Sequence, residues 1–492
     1  MISNWLYQQA MDIDTNNLIG YSLGAIVLYA SYRYVYNVYF HPAAKFPGPR
    51  FASFSNLWYA YQWSTGKYPW AVAEALKKYG DVVRVALNEL VFITPKAFTD
   101  IYDSHTAGLE HFPKTNFMDL GLGDSGLSWE KNPEKHREKA KKVAPAFSVK
   151  ALRAKEPTMN KYTDAFVERM KDLGSRDEGI DLKTWTDWIA MDASADLAYS
   201  RELHHLQDMK STSFLDEFPF KLLFVPPSII TSHGKVVEMN QKALDSRIER
   251  RGAVGHLDHF EQLLPAFAPE PTKEEKKNLE VTVGHLVVAG YEPIASQILC
   301  TIMFSLFEPD ALKLLVGEIR SNLERYDDIN AESLGSLKFL HASLMETLRM
   351  TVLQSSGQPR MSPGAEVDGN YIARGVEVQY GFLAFTRDAR YFHDGKSYRP
   401  QRWLPRDHPN WDPKFKNDAT EHFHPFSLGP RSCVGMPLAW RQTRLFVAKV
   451  LWSFDIEMLS NQNVTMENGF RMYGMWKKPN FWVRFHPVSR EA

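Results

Sequence analysis

Across 492 residues the chain carries 58 basic and 58 acidic side chains, so it has neither the positive field of a dedicated nucleic-acid binder nor a polyacidic tail. Two cysteines, Cys300 and Cys433, cannot build a disulfide framework, which excludes a small stapled fold and suits a catalytic part facing a reducing compartment. At 44% hydrophobic and 13% aromatic, the composition supplies a large core and the walls of an apolar cavity.

The first element is the apolar run LIGYSLGAIVLYASY, Leu18 to Tyr32, which continues past Arg33 as YVYNVYF to Phe40. It is just long enough to cross a bilayer as a tilted helix with aromatic ends. A cleavable signal peptide is the rival reading, but the run has no basic region before it and carries Asp12 and Asp14 instead. Arg33, Lys45 and Arg50 follow, so the positive-inside rule places the downstream chain in the cytosol. Residues 1–41 are therefore expected to be a membrane anchor. Residues 42–50 follow as a fixed-angle hinge stiffened by Pro42, Pro47 and Pro49. From 51 to 492 no repeat, low-complexity tract or polar linker intervenes, and one large domain is expected.

Within that domain, YGDVVRVALNELV (Tyr79 to Val91) reads as a β-hairpin turning at Leu87–Glu89. Most later segments have helical period. Asn132-Pro133 caps a helix closed by Pro145, with Lys135, Arg137, Lys139, Lys141 and Lys142 along it. A solvated face and a docking patch for an acidic partner both fit that charge. Ser213 to Ile230, aromatic and broken by prolines, reads equally as a bilayer-dipping gate or as core. Thr272 to Glu275 is a capping box, and helical character persists to Glu308, a rod of about 50 Å at 1.5 Å per residue. Gly290 and Pro293 interrupt its propensity; proline gives no N–H to the Ala289 carbonyl, so a kink or bulge with a polar notch beside Glu292 is expected.

In the next helix Glu346 and Arg349 lie three apart on the face opposite Leu337, Leu340, Leu344 and Leu348, a minor ion pair alone. Arg402, in the proline-bounded loop YRPQRWLP, offers the second guanidinium that would make one carboxylate a strong, oriented knot.

Cys433 sits in PFSLGPRSCVG, where the glycines permit sharp turns against a bulky group and backbone amides favour a thiolate. Zinc would need three more ligands, with only His422 and His424 nearby. A nucleophilic cysteine would need a base that no motif signals. An axial thiolate to haem iron needs Cys433 alone, since the porphyrin supplies the other four ligands.

Phe426, Gly429, Arg431, Cys433 and Gly435 match F-x-x-G-x-R-x-C-x-G, and the chain here resembles the cytochrome P450 family, in its microsomal fungal branch. Glu346 and Arg349 resemble that family's E-x-x-R motif with Arg402 completing the triad, and Ala289-Gly290-x-Glu292 is similar to its oxygen-groove motif. The likeness spans about residues 15 to 485. It implies a mainly α domain with small β-sheets and haem b between the long central helix and the cysteine loop. Cys433 is then the iron ligand, Arg431, Arg360 and His136 hold propionates, and Ala289, Gly290, Glu292 and Pro293 form the catalytic groove. It further implies electrons from NADPH-cytochrome P450 reductase, with cytochrome b5 as an optional donor. The other implied attributes are dioxygen and an apolar small molecule as substrates, a monomer, and residence on the cytosolic face of the endoplasmic reticulum membrane.

Three positions depart from the pattern. Pro293 stands where the family usually has threonine, so proton delivery falls to Glu292, to water on the Ala289 carbonyl, to Ser296 or to the substrate. Ala140 replaces a common propionate arginine, for which Lys139 or Lys141 would substitute, and Gln401 replaces a glutamate. The expected activity is insertion of one oxygen atom in fungal secondary metabolism. Pro293 raises an alternative, a haem-thiolate isomerase or dehydratase that needs no dioxygen, and a haem sensor or carrier is the non-enzymatic reading. The substrate is not legible.

Overall fold

The capping box forms as the sequence specifies: Thr272 accepts from the Glu275 amide, Glu275 returns the bond, and the helix they open runs Lys273–Phe307. The computed structural model describes residues 15–117, 126–211, 238, 240–460 and 462–489, so the segment Ser213 to Ile230 lies outside the described residues. Pro293 does not interrupt the rod. Helical conformation continues through it with no bulge, contrary to that part of the expectation. The surroundings hold the turn in place: Ser194 Oγ donates to the Val287 carbonyl (2.7 Å) before the proline, and Gln297 Nε2 donates to the Leu344 carbonyl (2.8 Å) after it.

From Ile294 to Ser305 every residue of this helix is buried, which is why apolar residues occupy all its faces rather than one stripe. Around it pack the helices Leu182–Tyr199, Lys338–Met350 and Met436–Ser453, the last also against Val149–Leu173. Among the described residues the central helix is long and apolar enough to cross a membrane, but it is mostly buried inside the protein. Thr15–Val35 mixes its aliphatic residues with four tyrosines and Arg33, and Leu18, Ile19, Leu23, Ile26, Val27 and Leu28 are all exposed.

The sheets are small. The predicted hairpin pairs Val82–Ala86 with Glu89–Phe92; the latter runs parallel to Glu377–Tyr380, which pairs in turn with Arg360–Met361. A second sheet joins Phe454–Met458, Trp482–Pro487 and Ile180–Asp181. The first sheet also fastens the proline-rich hinge. Arg84 Nη1 donates to the Asn37 carbonyl and the Arg84 amide to the Pro47 carbonyl, each at 2.8 Å. A Cβ on Gly48 would lie 2.2 Å from the Arg84 carbonyl oxygen, so no other residue fits that crossing.

The knot forms fully buried, with Glu346, Arg349 and Arg402 side chains all 0% exposed. Arg349 bonds both Glu346 oxygens at 2.8 Å, Arg402 Nε donates to Oε1 (3.1 Å), and the Arg399 amide and Trp403 Nε1 complete the shell at 2.8 Å. Burial alone would raise the Glu346 pKa, but Arg349 and Arg402 outweigh it and hold the carboxyl at about 2.

Breaking such a group by removing one partner leaves uncompensated buried charge. Arg402→Met is therefore expected to cost about 3–5 kcal/mol in chemical denaturation at neutral pH. Because the folded pKa lies below the ordinary 4.5, the stability that Glu346 contributes is complete above 4.5 and is lost as pH falls through about 2. Glu346→Gln should flatten the dependence of the denaturation midpoint on pH between those values.

Candidate active site

A cavity of about 580 Å³ opens between the central helix and the cysteine loop. One wall is the i, i+3, i+4 stripe of Leu286, Ala289, Gly290, Pro293, Ile294 and Gln297; the opposite wall carries Phe426, Arg431, Cys433 and Gly435. Stripe geometry also explains a residue that sequence reasoning put in the groove and the structure does not. Glu292 lies off this face, is absent from the cavity wall, and is 4% exposed. It accepts from Ser296 Oγ (2.6 Å) instead, and burial raises its pKa while Lys478 acts against that rise. Lys478 donates to Asp187 (2.7 Å), and Asp187 also pairs with the partly exposed Lys183 (3.0 Å), so a chain of ionisable groups links Glu292 to the surface.

The cysteine loop is built by backbone. Gly429 has φ +65°, and a Cβ there would stand 2.5 Å from the Tyr102 carbonyl oxygen, so it shapes the turn without lining the cavity. The Cys433 amide donates to the Phe426 carbonyl (2.8 Å), and the ring of Phe426 meets Trp440 at 5.7 Å. The Cys433 thiol opens into the cavity at the start of the helix Met436–Ser453. Burial raises its pKa, and the amides of Gly435 and Met436, bonded to the sulfur, pull it back toward the thiolate. Cys300, by contrast, is fully buried in the central helix and outside the cavity wall.

At one end four cationic or protonatable side chains converge: Lys114, His136, Arg360 and Arg431. At His136, Arg360 and Lys114 repulsion from neighbouring cations adds to the effect of burial. Burial and Arg431 push His136 down to about 3. Arg360 falls to about 10 by burial, with Arg431 adding to it and Tyr102 opposing. Lys114 is lowered well below its usual value by burial, Arg360 and Arg431. Arg431 holds Glu110 through Nε (2.7 Å) and the Glu130 carbonyl through Nη1 (2.6 Å), while Lys114 bonds the Ser128 carbonyl. Glu110 is one carboxylate against several cations, an arrangement that calls for further anionic charge.

Sequence reasoning named Arg431, Arg360 and His136 and missed Lys114, which stands in HFPKT with no spacing signal. Lys139, considered as the substitute for an arginine at Ala140, is engaged with Glu130 (3.1 Å) and Gly126. Ser194 and Thr282 in the cavity wall were also unsignalled, because only packing brings them there.

A sequence profile described as Cytochrome P450 matches residues 47–484. Among curated proteins, the chain is 44% identical to Cytochrome P450 monooxygenase TwmD of Talaromyces wortmannii, covering 96% of each chain. It is 33% identical to Cytochrome P450 monooxygenase poxC of Penicillium oxalicum (94% of this chain, 93% of the relative). With Cytochrome P450 monooxygenase BOA3 of Botryotinia fuckeliana it shares 32% (95% and 96%).

The residues present fit the haem that this likeness implies: on one wall a thiol whose sulfur takes two backbone-amide hydrogen bonds, and at the rim an excess of buried cations suited to two carboxylates. Lys114→Met and Arg360→Leu should each speed haem transfer to apomyoglobin about tenfold, the effect of roughly one charge-assisted hydrogen bond. Lys141→Met, on the exposed face of the same region, should leave that rate unchanged.

Proposed function

The chain belongs to the cytochrome P450 family and is a cytochrome P450 monooxygenase, and from that premise we propose a more specific reading. It is a membrane-anchored enzyme carrying haem b on Cys433 that puts one atom of dioxygen into an apolar small molecule of fungal secondary metabolism. The observation that carries this reading is the Cys433 thiol, bonded by two amides and opening into a cavity opposite the Ala289–Pro293 stripe.

When bound, the haem supplies the activation of dioxygen. The chain's own part is charge and position. The Gly435 and Met436 amides favour sulfur in its anionic form, and Arg360, Arg431, Lys114 and neutral His136 hold the propionates. Leu127, Leu197, Leu286 and Ile294 exclude water and favour an apolar substrate. Behind the cavity wall, burial raises the Glu292 pKa against the pull of Lys478, and Lys478, Asp187 and Lys183 continue a line of charged groups toward the surface.

Exposed Lys135, Arg137, Lys141 and Lys142 on the helix Pro133–Val143 suit an acidic electron donor, NADPH-cytochrome P450 reductase or cytochrome b5. The apolar surface of Thr15–Val35 suits a single span in the endoplasmic reticulum membrane, with Arg33 and the catalytic domain on the cytosolic side. Pro293 in the cavity wall favours the second reading, a haem-thiolate isomerase or dehydratase working without dioxygen.

The test is the reduced, carbon-monoxide-treated spectrum. The wild type should show the red-shifted band of an anionic sulfur ligand, and Cys433→Ser should abolish it; a serine variant with unchanged colour would refute the ligand assignment. Isotopic dioxygen distinguishes the two reactions, because label in the product together with NADPH consumption is expected only of the monooxygenase. A Lys141→Glu, Lys142→Glu double variant should raise the reductase concentration needed for half-maximal rate severalfold at low salt, and less at high salt.

A further inference from the structure

Lys155, on the helix Val149–Leu173, is 0% exposed, and among the described residues it has no carboxylate in an ion pair. Its three hydrogens meet neutral acceptors instead: the Ala146 carbonyl (2.7 Å), His259 Nδ1 (2.8 Å) and Gln262 Oε1 (3.3 Å). Asp258, next to His259 in the chain, is engaged elsewhere, with two Arg247 nitrogens (2.7 and 3.2 Å) and the Ser200 hydroxyl (2.7 Å). Burial lowers the Lys155 pKa to about 8 while Asp258 acts against the fall, so the group is cationic at neutral pH. A buried cation without an ionic partner calls for negative charge from another source.

The packing around Lys155 leads to that source. His259 belongs to the cavity wall, and since its Nδ1 accepts from the ammonium, its proton sits on Nε2. Burial and Lys155 together push the His259 pKa well down, so the ring is neutral and its N–H dipole turns its positive end away from Lys155. The ring stacks on Phe147 at 4.8 Å with 27° between planes, and Lys155 Nζ lies 6.0 Å from the centre of the same Phe147 ring. Phe147 in turn abuts the cysteine loop. The point where a Cβ on Gly435 would stand is 3.8 Å from Phe147 Cε1 and 3.8 Å from Cys433 Sγ. Lys155, His259 and Phe147 are all buried, so solvent screens this line weakly.

We propose that Lys155, seated behind His259 and Phe147, is the built-in counter-cation of the Cys433–haem unit and raises its reduction potential. The inference deepens the monooxygenase reading and rests on the ligation of iron by Cys433. One electron from the reductase adds one negative charge to that unit, and a fixed buried cation favours the reduced form over the oxidised one. Two unit charges roughly 10 Å apart at an effective dielectric of about 20 shift such an equilibrium about tenfold.

The experiment is a spectroelectrochemical titration of the ferric–ferrous couple in full-length haem-loaded protein, comparing wild type, Lys155→Gln, Lys155→Arg and His259→Phe. At a fixed applied potential the ferrous-to-ferric ratio of Lys155→Gln should fall about tenfold, which is about 59 mV in the midpoint of a one-electron couple. Lys155→Arg keeps the charge and should stay close to wild type. His259→Phe keeps a ring on Phe147 but removes one acceptor of the ammonium, which then loses its proton more readily; its ratio should fall in the same direction, and it keeps the test available if Lys155→Gln does not fold. A Lys155→Gln protein that melts at lower temperature with an unchanged potential would overturn the proposal, since that is the behaviour of a purely structural lysine. So would a Lys155→Arg ratio that falls as far as that of Lys155→Gln. Failure of the underlying reading is seen separately in the carbon-monoxide spectrum: a wild type without the red-shifted band removes the anionic sulfur and the proposal with it, whereas the band together with unmoved potentials removes the proposal alone.

Discussion

One buried carboxylate organises the proximal half of this molecule. Glu346 takes hydrogen bonds from Arg349 of its own helix and from Arg402, Trp403 and the Arg399 amide, which belong to a loop held otherwise by a single short turn. Arg402 extends the network to Asp418 and the His393 carbonyl, and Trp403 packs on Phe423 at 5.6 Å. The chain enters the cysteine loop directly after Phe423. The position of Cys433 is thus tied, through two aromatic rings and a shared anion, to the helix Lys338–Met350, which Gln297 and Thr301 pin to the central rod. Loops without ladders of their own acquire the rigidity of helices because one buried charge cannot be left with fewer partners.

The cation cluster follows the opposite rule. At the knot, charges of both signs compensate; at the cavity rim Arg431 stands close enough to Lys114 and Arg360 to lower their affinity for protons. Such a site is destabilising in isolation and gains its balance only with an anionic group between the cations. His136 shows the same pressure from the other side. Buried beside two cations it stays neutral, and so serves as a hydrogen-bonding group whose behaviour is indifferent to pH across the physiological range.

How much was legible in the sequence depended on whether a feature is local. The capping box at Thr272, the Asn132 cap and the hairpin at Leu87 use residues within a few positions of one another, and all three form. The helical stripe Ala289–Pro293 was readable as a face, but its neighbour Glu292 was assigned to the same groove by motif, and 3.6-residue geometry turns it to a different side. Lys114 and Ser194 carry no periodicity at all. They reach the cavity because a strand bridge to Arg360 and the packing of two long helices bring them there, and neither relation leaves a mark in linear spacing. The proline was expected to kink or bulge its helix; Ser194 of a neighbouring helix bonds the Val287 carbonyl before it, Gln297 after it bonds the Leu344 carbonyl of another, and helical conformation runs through without a bulge.

The fastening of the hinge has its own consequence. Arg84 grips Asn37 and Pro47 from the edge of a sheet, and Gly48 admits no slack at the crossing. The N-terminal helix is in this way a handle instead of a leash: body and helix share one orientation. Any surface that takes hold of the handle also sets the compass bearing of the cavity mouth.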